Sequence, residues 1–339
     1  MLFTIFTSAA NAILPIIMLI ALGYVLRQSG FLTDSFLAMA NRFVFNVALP
    51  VSLFNSVYKI EDLSTLPLNL VAYCAGAVLI IFFLALATLP LFTRDPKRKG
   101  VILQASFRSN NSIIGLTLSE LLGGTAAVAV ASVVIGFIVP LFNILAVIAL
   151  SLFVNEGKKP SMKSVLLKIA KNPLILGILT AYLVLFIRTG EKALFGSAVF
   201  TIKSNLTFLY TFLSQLGSIA TPMALIVLGG QFRFSAAGSM KKEIIIGTSW
   251  RVLIAPVLGL GGAYLISSHT GFMTCGPAEY PVMIALFASP AAVSSAIMAA
   301  QMGNDEQLAT QLVVWSTIFS AVSMFVFICI LMSMGLLAV

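Results

Sequence analysis

Arg108, Asn110 and Asn111 stand in the stretch SFRSNNSIIGLTLSELLGG, with Gly115 shortly after, inside a long run of apolar residues. A guanidinium is a permanently charged, planar fork of donors, and each asparagine amide adds two more. Such groups suit an oxyanion, above all a carboxylate. A second unusual stretch, ALFASPAAVSSAIMAAQMGND, carries Ser289-Pro290 and then small residues, Ser294 and Ser295 among them. Proline removes a backbone donor and disfavours helix at the residue before it. Both stretches read as helices interrupted midway. A break frees backbone N–H and C=O groups, and a helix that resumes after it presents about half a positive charge at its N-terminus. Two such breaks crossing each other would polarise one gap positively. Arg108, Asn110, Asn111, Gly115, Ser289, Pro290, Ser294 and Ser295 are therefore the candidate substrate-binding set.

A secondary set surrounds it. Asn46 precedes Pro50, and Thr221 precedes Pro222, so proline loosens both helices beside a polar group. Arg42 and Arg251 fall within apolar spans. Arg251 either neutralises a buried partner such as Glu120 or helps draw anions in. Arg108 also has two readings. It faces a wet cavity at mid-depth, or it snorkels to the nearer surface, since it lies only about 12 Å of helix rise past Gly100. Acidic residues are absent from the centres of the spans, and Glu120 and Glu243 sit near ends. Proton-driven cation pumps use buried carboxylates. Their absence beside intramembrane cations favours an anionic substrate.

Other chemistries find little support. The three cysteines, Cys74, Cys275 and Cys329, form no close pair, and the single histidine, His269, sits in a loop. No metal site, cofactor or catalytic constellation is expected, and no GxxxxGK[ST] loop is present for ATP-driven work. An enzyme or a sensor would need such a constellation or a soluble output domain.

The elements that must position these residues are membrane spans. Of 339 residues 60% are hydrophobic and only 9% charged, against about a quarter charged in soluble domains. The opening segment has no basic n-region and an apolar run beyond signal-peptide length, so it reads as a span. Ten spans are expected, about 5–26, 35–57, 68–92, 101–123, 125–153, 173–188, 204–230, 243–267, 281–302 and 308–338. Loops on one side carry 13 Lys and Arg, and loops on the other carry four, Lys59, Arg188, Lys192 and Lys203. The positive-inside rule puts the basic side in the cytoplasm and both termini outside, in a multi-pass cell membrane. The net charge of +9 thus needs no nucleic-acid partner. The linker 154–172 reads as cytoplasmic, with an interfacial helix on Val165, Leu166 and Ile169.

The halves 1–153 and 173–339 look related. NAILPIIMLIALGYVLRQSG is echoed by KNPLILGILTAYLVLFIRTG, Pro50 by Pro222, and the interrupted fourth span by the ninth. Five spans is an odd number, so the second half enters the membrane inverted. Inverted repeats with a broken helix in each half are a signature of secondary transporters. The fold class expected is all-α integral membrane, with ten transmembrane helices in two inverted five-helix repeats and broken, crossing helices 4 and 9.

NRFVFNVALPVSLFNSV and ASPAAVSSAIMAAQMGNDEQLATQLVVWSTIFS resemble the auxin efflux carrier family, whose microbial members include malate and malonate permeases. The resemblance covers nearly the whole chain. It implies two helices crossing at their breaks, marked here by Asn110 or Asn111 and by Pro290. It also implies a scaffold from spans 1, 2, 6 and 7, a transport domain from spans 3–5 and 8–10, elevator-type alternating access and a homodimer. The family often has proline in the fourth-span break, where this chain has Gly115-Leu116-Thr117. The plant hormone exporters carry a large hydrophilic insert, which the short 154–172 loop lacks. The expected cargo is a small organic anion such as malate or malonate, or an auxin-like weak acid. A sodium-coupled carrier similar to the bile acid symporters, which share the broad architecture, is the alternative.

Overall fold

Apolar length, and the points where it is interrupted, decide this architecture. The structure is a computed structural model and describes residues 2–60, 67–153, 166–167, 169–197 and 199–337. Most of the 154–172 linker, Val165 included, lies outside the described residues. In chain order the helices are α1 (Leu2–Gln28), α2 (Asp34–Phe43), α3 (Leu49–Tyr58), α4 (Leu68–Phe92), α5 (Pro96–Phe107) and α6 (Asn111–Leu152). There follow α7 (Pro173–Phe195), α8 (Ile202–Asn205), α9 (Thr207–Gln231), α10 (Phe234–Ala237), α11 (Lys241–Ser249) and α12 (Ala255–His269). The last three are α13 (Glu279–Ala288), α14 (Val293–Gln301) and α15 (Glu306–Ser333). One turn of π-helix joins α2 to α3 (Val44–Ala48), and another joins α11 to α12 (Trp250–Ile254). The described residues contain no β-strand, only an isolated bridge.

Seven helical runs among the described residues are long and apolar enough to cross a bilayer. The part of α1 from Leu14 to Gln28 and the short apolar helix Glu279–Ala288 accompany them. Seven is fewer than the ten spans expected, and the helices are interrupted or joined where the two differ. The stretches expected as the fourth and ninth spans are each interrupted, at 108–110 and at 289–292. The fourth and fifth run together through α6, which is two helices meeting at Gly124, where φ of 62° and ψ of −157° are open only to glycine. Outward faces carry large apolar side chains. Leu179, Phe186, Phe208 and Val322 are each more than half exposed, which suits a lipid solvent.

Backbone groups freed by proline inside the apolar layer must be paired again. Pro140 in α6 frees the carbonyl of Gly136, and the Tyr182 hydroxyl donates to it at 2.9 Å. Pro256 in α12 frees that of Val252, which accepts from the Ser323 hydroxyl. Close helix approach depends on missing side chains. A Cβ on Gly23 of α1 would overlap the Ile226 carbonyl of α9, and one on Gly229 of α9 would overlap that of Ile20.

The two ends of the molecule differ in charge. At one, Arg98 in the first turn of α5 pairs with Glu243 of α11 at 2.9 Å and with Asp305 before α15 at 3.1 Å. Arg27 and Asp34 pair there at 2.6 Å between α1 and α2. The other end gathers the C-terminal parts of α3 and α7 and the start of α9, with Arg188 of α7 donating to the carbonyls of Tyr58 and Ile60.

Candidate functional site

The chain leaves helical geometry twice in mid-span. After α5, Arg108 turns extended (φ −84°, ψ 103°), and helix resumes at Asn111. After α13, Ser289 is extended (φ −69°, ψ 158°), and helix resumes at Val293. The two extended pieces lie antiparallel and bridge at Ser109 and Ala291. Asn110 N donates to the Pro290 carbonyl at 2.8 Å, and Ala292 N donates to the Arg108 carbonyl at 3.2 Å. Ala291 N donates to Ser316 Oγ of α15 at 3.0 Å. Groups released by each break are thus largely consumed by the other. Proline explains the second break. The first has no proline, and its partner strand holds it open.

Four helix ends meet here. The N-termini of α6 and α14 lack a side-chain cap, at Asn110 and at Ala292. Beside them is a cavity of about 60 Å³, lined on this side by Arg108, Ser109, Asn110, Ala292, Val293 and Ser294. Asn143 of α6, Ser52 and Ser56 of α3, and Thr221 of α9 complete its polar lining. That volume holds a few waters or a small polar head. The C-termini of α5 and α13 point the other way, into Arg251. Its guanidinium donates to the carbonyls of Phe107 at 3.0 Å, Leu286 at 3.3 Å and Ser106 at 3.4 Å, and to that of Phe287. One buried cation thereby neutralises two negative helix ends.

Arg108 is buried beside the cavity, at 3% exposure, so it does not snorkel. Its Nη2 donates to Asn143 Oδ1 at 2.8 Å and its Nη1 to Met298 Sδ at 2.9 Å. Asn143 is fixed in turn by donating Nδ2 to the Val139 carbonyl at 2.8 Å. Among the described residues no carboxylate forms an ion pair with Arg108. The site therefore holds a buried positive charge with only neutral partners.

The remaining candidates separate by position. Asn111 is fully buried behind the break, and neither of its amide atoms has a hydrogen-bond partner among the described residues. Gly115 lies in regular helix, not at the break. It makes room for that amide, since a Cβ there would sit 2.6 Å from Asn111 Oδ1. Ser289 and Ser295 are buried, and their hydroxyls are unpartnered within the described protein. Pro290 contributes its carbonyl. Thr221 reaches the cavity, whereas Pro222 lies inside α9 outside the lining. Asn46 donates to the Arg42 carbonyl at 2.9 Å, and Pro50 sits in the first turn of α3, against Gly177 of α7. Glu120 is exposed, and Arg251 binds carbonyls in its place. Met298 and Ser316 carry no sequence signal as partners of the break. Each acts through a contact over a long stretch of chain, which no local pattern signals.

A multi-pass helical membrane protein, with broken helices joined at a buried cationic cavity, belongs to the class of membrane transport proteins. Residues 8–328 match the membrane transport protein family, of auxin efflux carrier type, and the chain belongs to that family. It is also similar to an uncharacterized transporter of Methanothermobacter thermautotrophicus. The two are 21% identical over 335 residues, covering 94% of this chain and 97% of that one.

Proposed function

We propose that the protein is a secondary or facilitative carrier of a small organic anion, a carboxylate such as malate or malonate or an auxin-like weak acid. The observation that carries this reading is Arg108, a buried guanidinium lining a polar cavity and without a carboxylate partner among the described residues. An arginine at the centre of a bilayer costs about 2.5–3.5 kcal/mol on insertion scales. An anionic guest offsets that cost, and the two uncapped helix N-termini supply further donors to it. The substrate-binding set is then Arg108, Asn110, Ser294 and Thr221 on the cavity. Asn111, Gly115, Ser289, Pro290 and Ser295 shape the break behind it.

In this reading the chain makes ten spans in two inverted repeats, 1–153 and 173–339, with both termini outside the cell. Spans 4 and 9 are the pairs α5 with the first part of α6, and α13 with α14. The scaffold comprises α1, α2 with α3, α7 and α9, and the remaining long helices form the transport domain. The polar bonds support this division. Arg98 with Glu243 and Asp305, and Asn304 Nδ2 with the Leu150 carbonyl at 3.0 Å, fall within the transport set. Arg27 with Asp34, and Asn55 Nδ2 with the Leu213 carbonyl at 2.7 Å, fall within the scaffold. A cleft of about 420 Å³ between the sets, lined by Asn41, Arg42, Gln231 and Gln301 among others, serves as the vestibule on the basic side. Movement is elevator-like, and the assembly is a homodimer. Purified protein in liposomes, assayed with a panel of labelled carboxylates, should take up at least one of them saturably. Intact, oriented protein that moves none of them refutes the assignment.

A further inference from the structure

The end of the molecule away from the lysine-rich loops carries few basic residues, yet those it has converge. Tyr58, Lys59, Arg188, Lys192, Lys203 and Tyr210 line one cavity of about 240 Å³, formed by the C-terminal parts of α3 and α7 and the segment leading into α9. These are the same four cations that the loop count places on the sparsely charged side. The positive-inside rule disfavours basic residues there, and gathering them in one concavity adds mutual repulsion. Such a focus of like charge raises the local concentration of the opposite ion.

The cavity is built, not incidental. Arg188 is buried at 8% exposure. It donates to the Tyr58 and Ile60 carbonyls at 3.0 and 2.7 Å and lies over the Tyr58 ring, 4.9 Å from its centroid. Tyr58 Oη accepts from Lys203 N at 3.1 Å, which leaves the phenol proton to donate elsewhere. The Tyr210 ring sits 6.0 Å from that of Tyr58. Lys59 and Lys203 are exposed and so reachable from solution. The Glu191 carboxylate accepts from Phe200 N at 3.0 Å.

We infer that this cavity is a second, static anion site, distinct from the one at the crossed breaks, and that it takes an oxyanion, a phosphate or carboxylate group. Two ammonium groups and a phenol supply the donors, and the Arg188 guanidinium supplies a fixed charge beneath them. The site lies on α3, α7 and α9 and the segment before α9, so it does not depend on Arg108 or on transport.

The experiment uses the full-length chain carrying Arg108→Gln, in nanodiscs of zwitterionic lipid. Inorganic phosphate and, separately, malonate are titrated calorimetrically at constant ionic strength. Saturable binding of at least one is expected. Adding Lys59→Gln and Lys203→Gln should weaken it about tenfold or more, the scale of losing charge-assisted bonds. Lys59→Arg with Lys203→Arg should retain it. The titration is repeated in discs containing phosphatidylglycerol. Weakened apparent affinity there identifies a lipid headgroup as the occupant, and unchanged affinity identifies a soluble anion. Binding of neither probe, or binding indifferent to the two Gln substitutions, overturns the inference.

Discussion

Two arginines are buried within a helix diameter of the breaks, and their surroundings assign them opposite work. Arg251 donates from both terminal nitrogens to four backbone carbonyls at the ends of α5 and α13. Replacing it with Met strands those acceptors in a low-dielectric interior, at about 1–3 kcal/mol for each left unpaired. Arg108 has a neutral amide and a thioether as partners. An unpaired buried charge is a liability, and an apolar residue of similar volume is often neutral or stabilising in such a place. Arg251→Met should therefore lower the thermal midpoint and the yield of folded protein. Arg108→Met should leave the midpoint unchanged or raise it, while anion affinity at the crossing falls about tenfold or more. Thermal unfolding and binding measured on the same two preparations check both signs. An Arg108→Met protein that unfolds early yet keeps its affinity would make that residue structural.

At the scale of the helix, what the sequence makes legible tracks how local each cause is. Pro290 announces its own break, because the missing donor and the steric clash are properties of the residue. Gly124 at the join within α6 falls between the two expected spans for the same kind of reason. The first break is read near the right place but attributed partly to Gly115, which the fold uses to seat Asn111. Its true cause is the pairing of residues 108–110 with residues 290–292, a contact across the chain. Arg251 is opaque for a related reason, since its acceptors are carbonyls that every residue has. Helices α1 and α9 offer a sharper test of element packing. Gly229 lets α9 approach α1 until a Cβ would enter the Ile20 carbonyl. That neighbour is backbone and cannot rotate away. Gly229→Ala should force the helices apart at a cost of about 1–3 kcal/mol, the usual range for overpacking. Gly76, with open space around its Cβ position, should tolerate alanine in the same assay. Equal midpoints for the two variants would show that the α1–α9 contact adapts without cost.

At the scale of the whole molecule, the proposed carrier needs one set of helices to slide past the other. The seam suits this. Beside its polar groups, the central cavity is lined by Leu53 and Ala224 from one set and Val139 and Val293 from the other, and such apolar contacts shift without breaking directional bonds. The polar bonds that do cross it include Tyr182 to the Gly136 carbonyl and, at the basic end, Gln307 Nε2 to the Gln231 carbonyl at 3.2 Å. Gln231 ends α9 and Gln307 lies in the first turn of α15, so in this reading the pair spans scaffold and transport domain while standing apart from the crossing. Both are partly exposed to the 420 Å³ cleft and open to reagents. With Cys74, Cys275 and Cys329 replaced by serine or alanine, cysteines at 231 and 307 should be bridged by a short bifunctional thiol reagent. Uptake should then fall to background and return on reduction, whereas each single-cysteine protein treated alike should keep its rate. An elevator cannot run with its car fastened to the shaft. Full uptake by a quantitatively bridged protein would mean that α15 and α9 travel together, and the moving boundary would have to be drawn elsewhere.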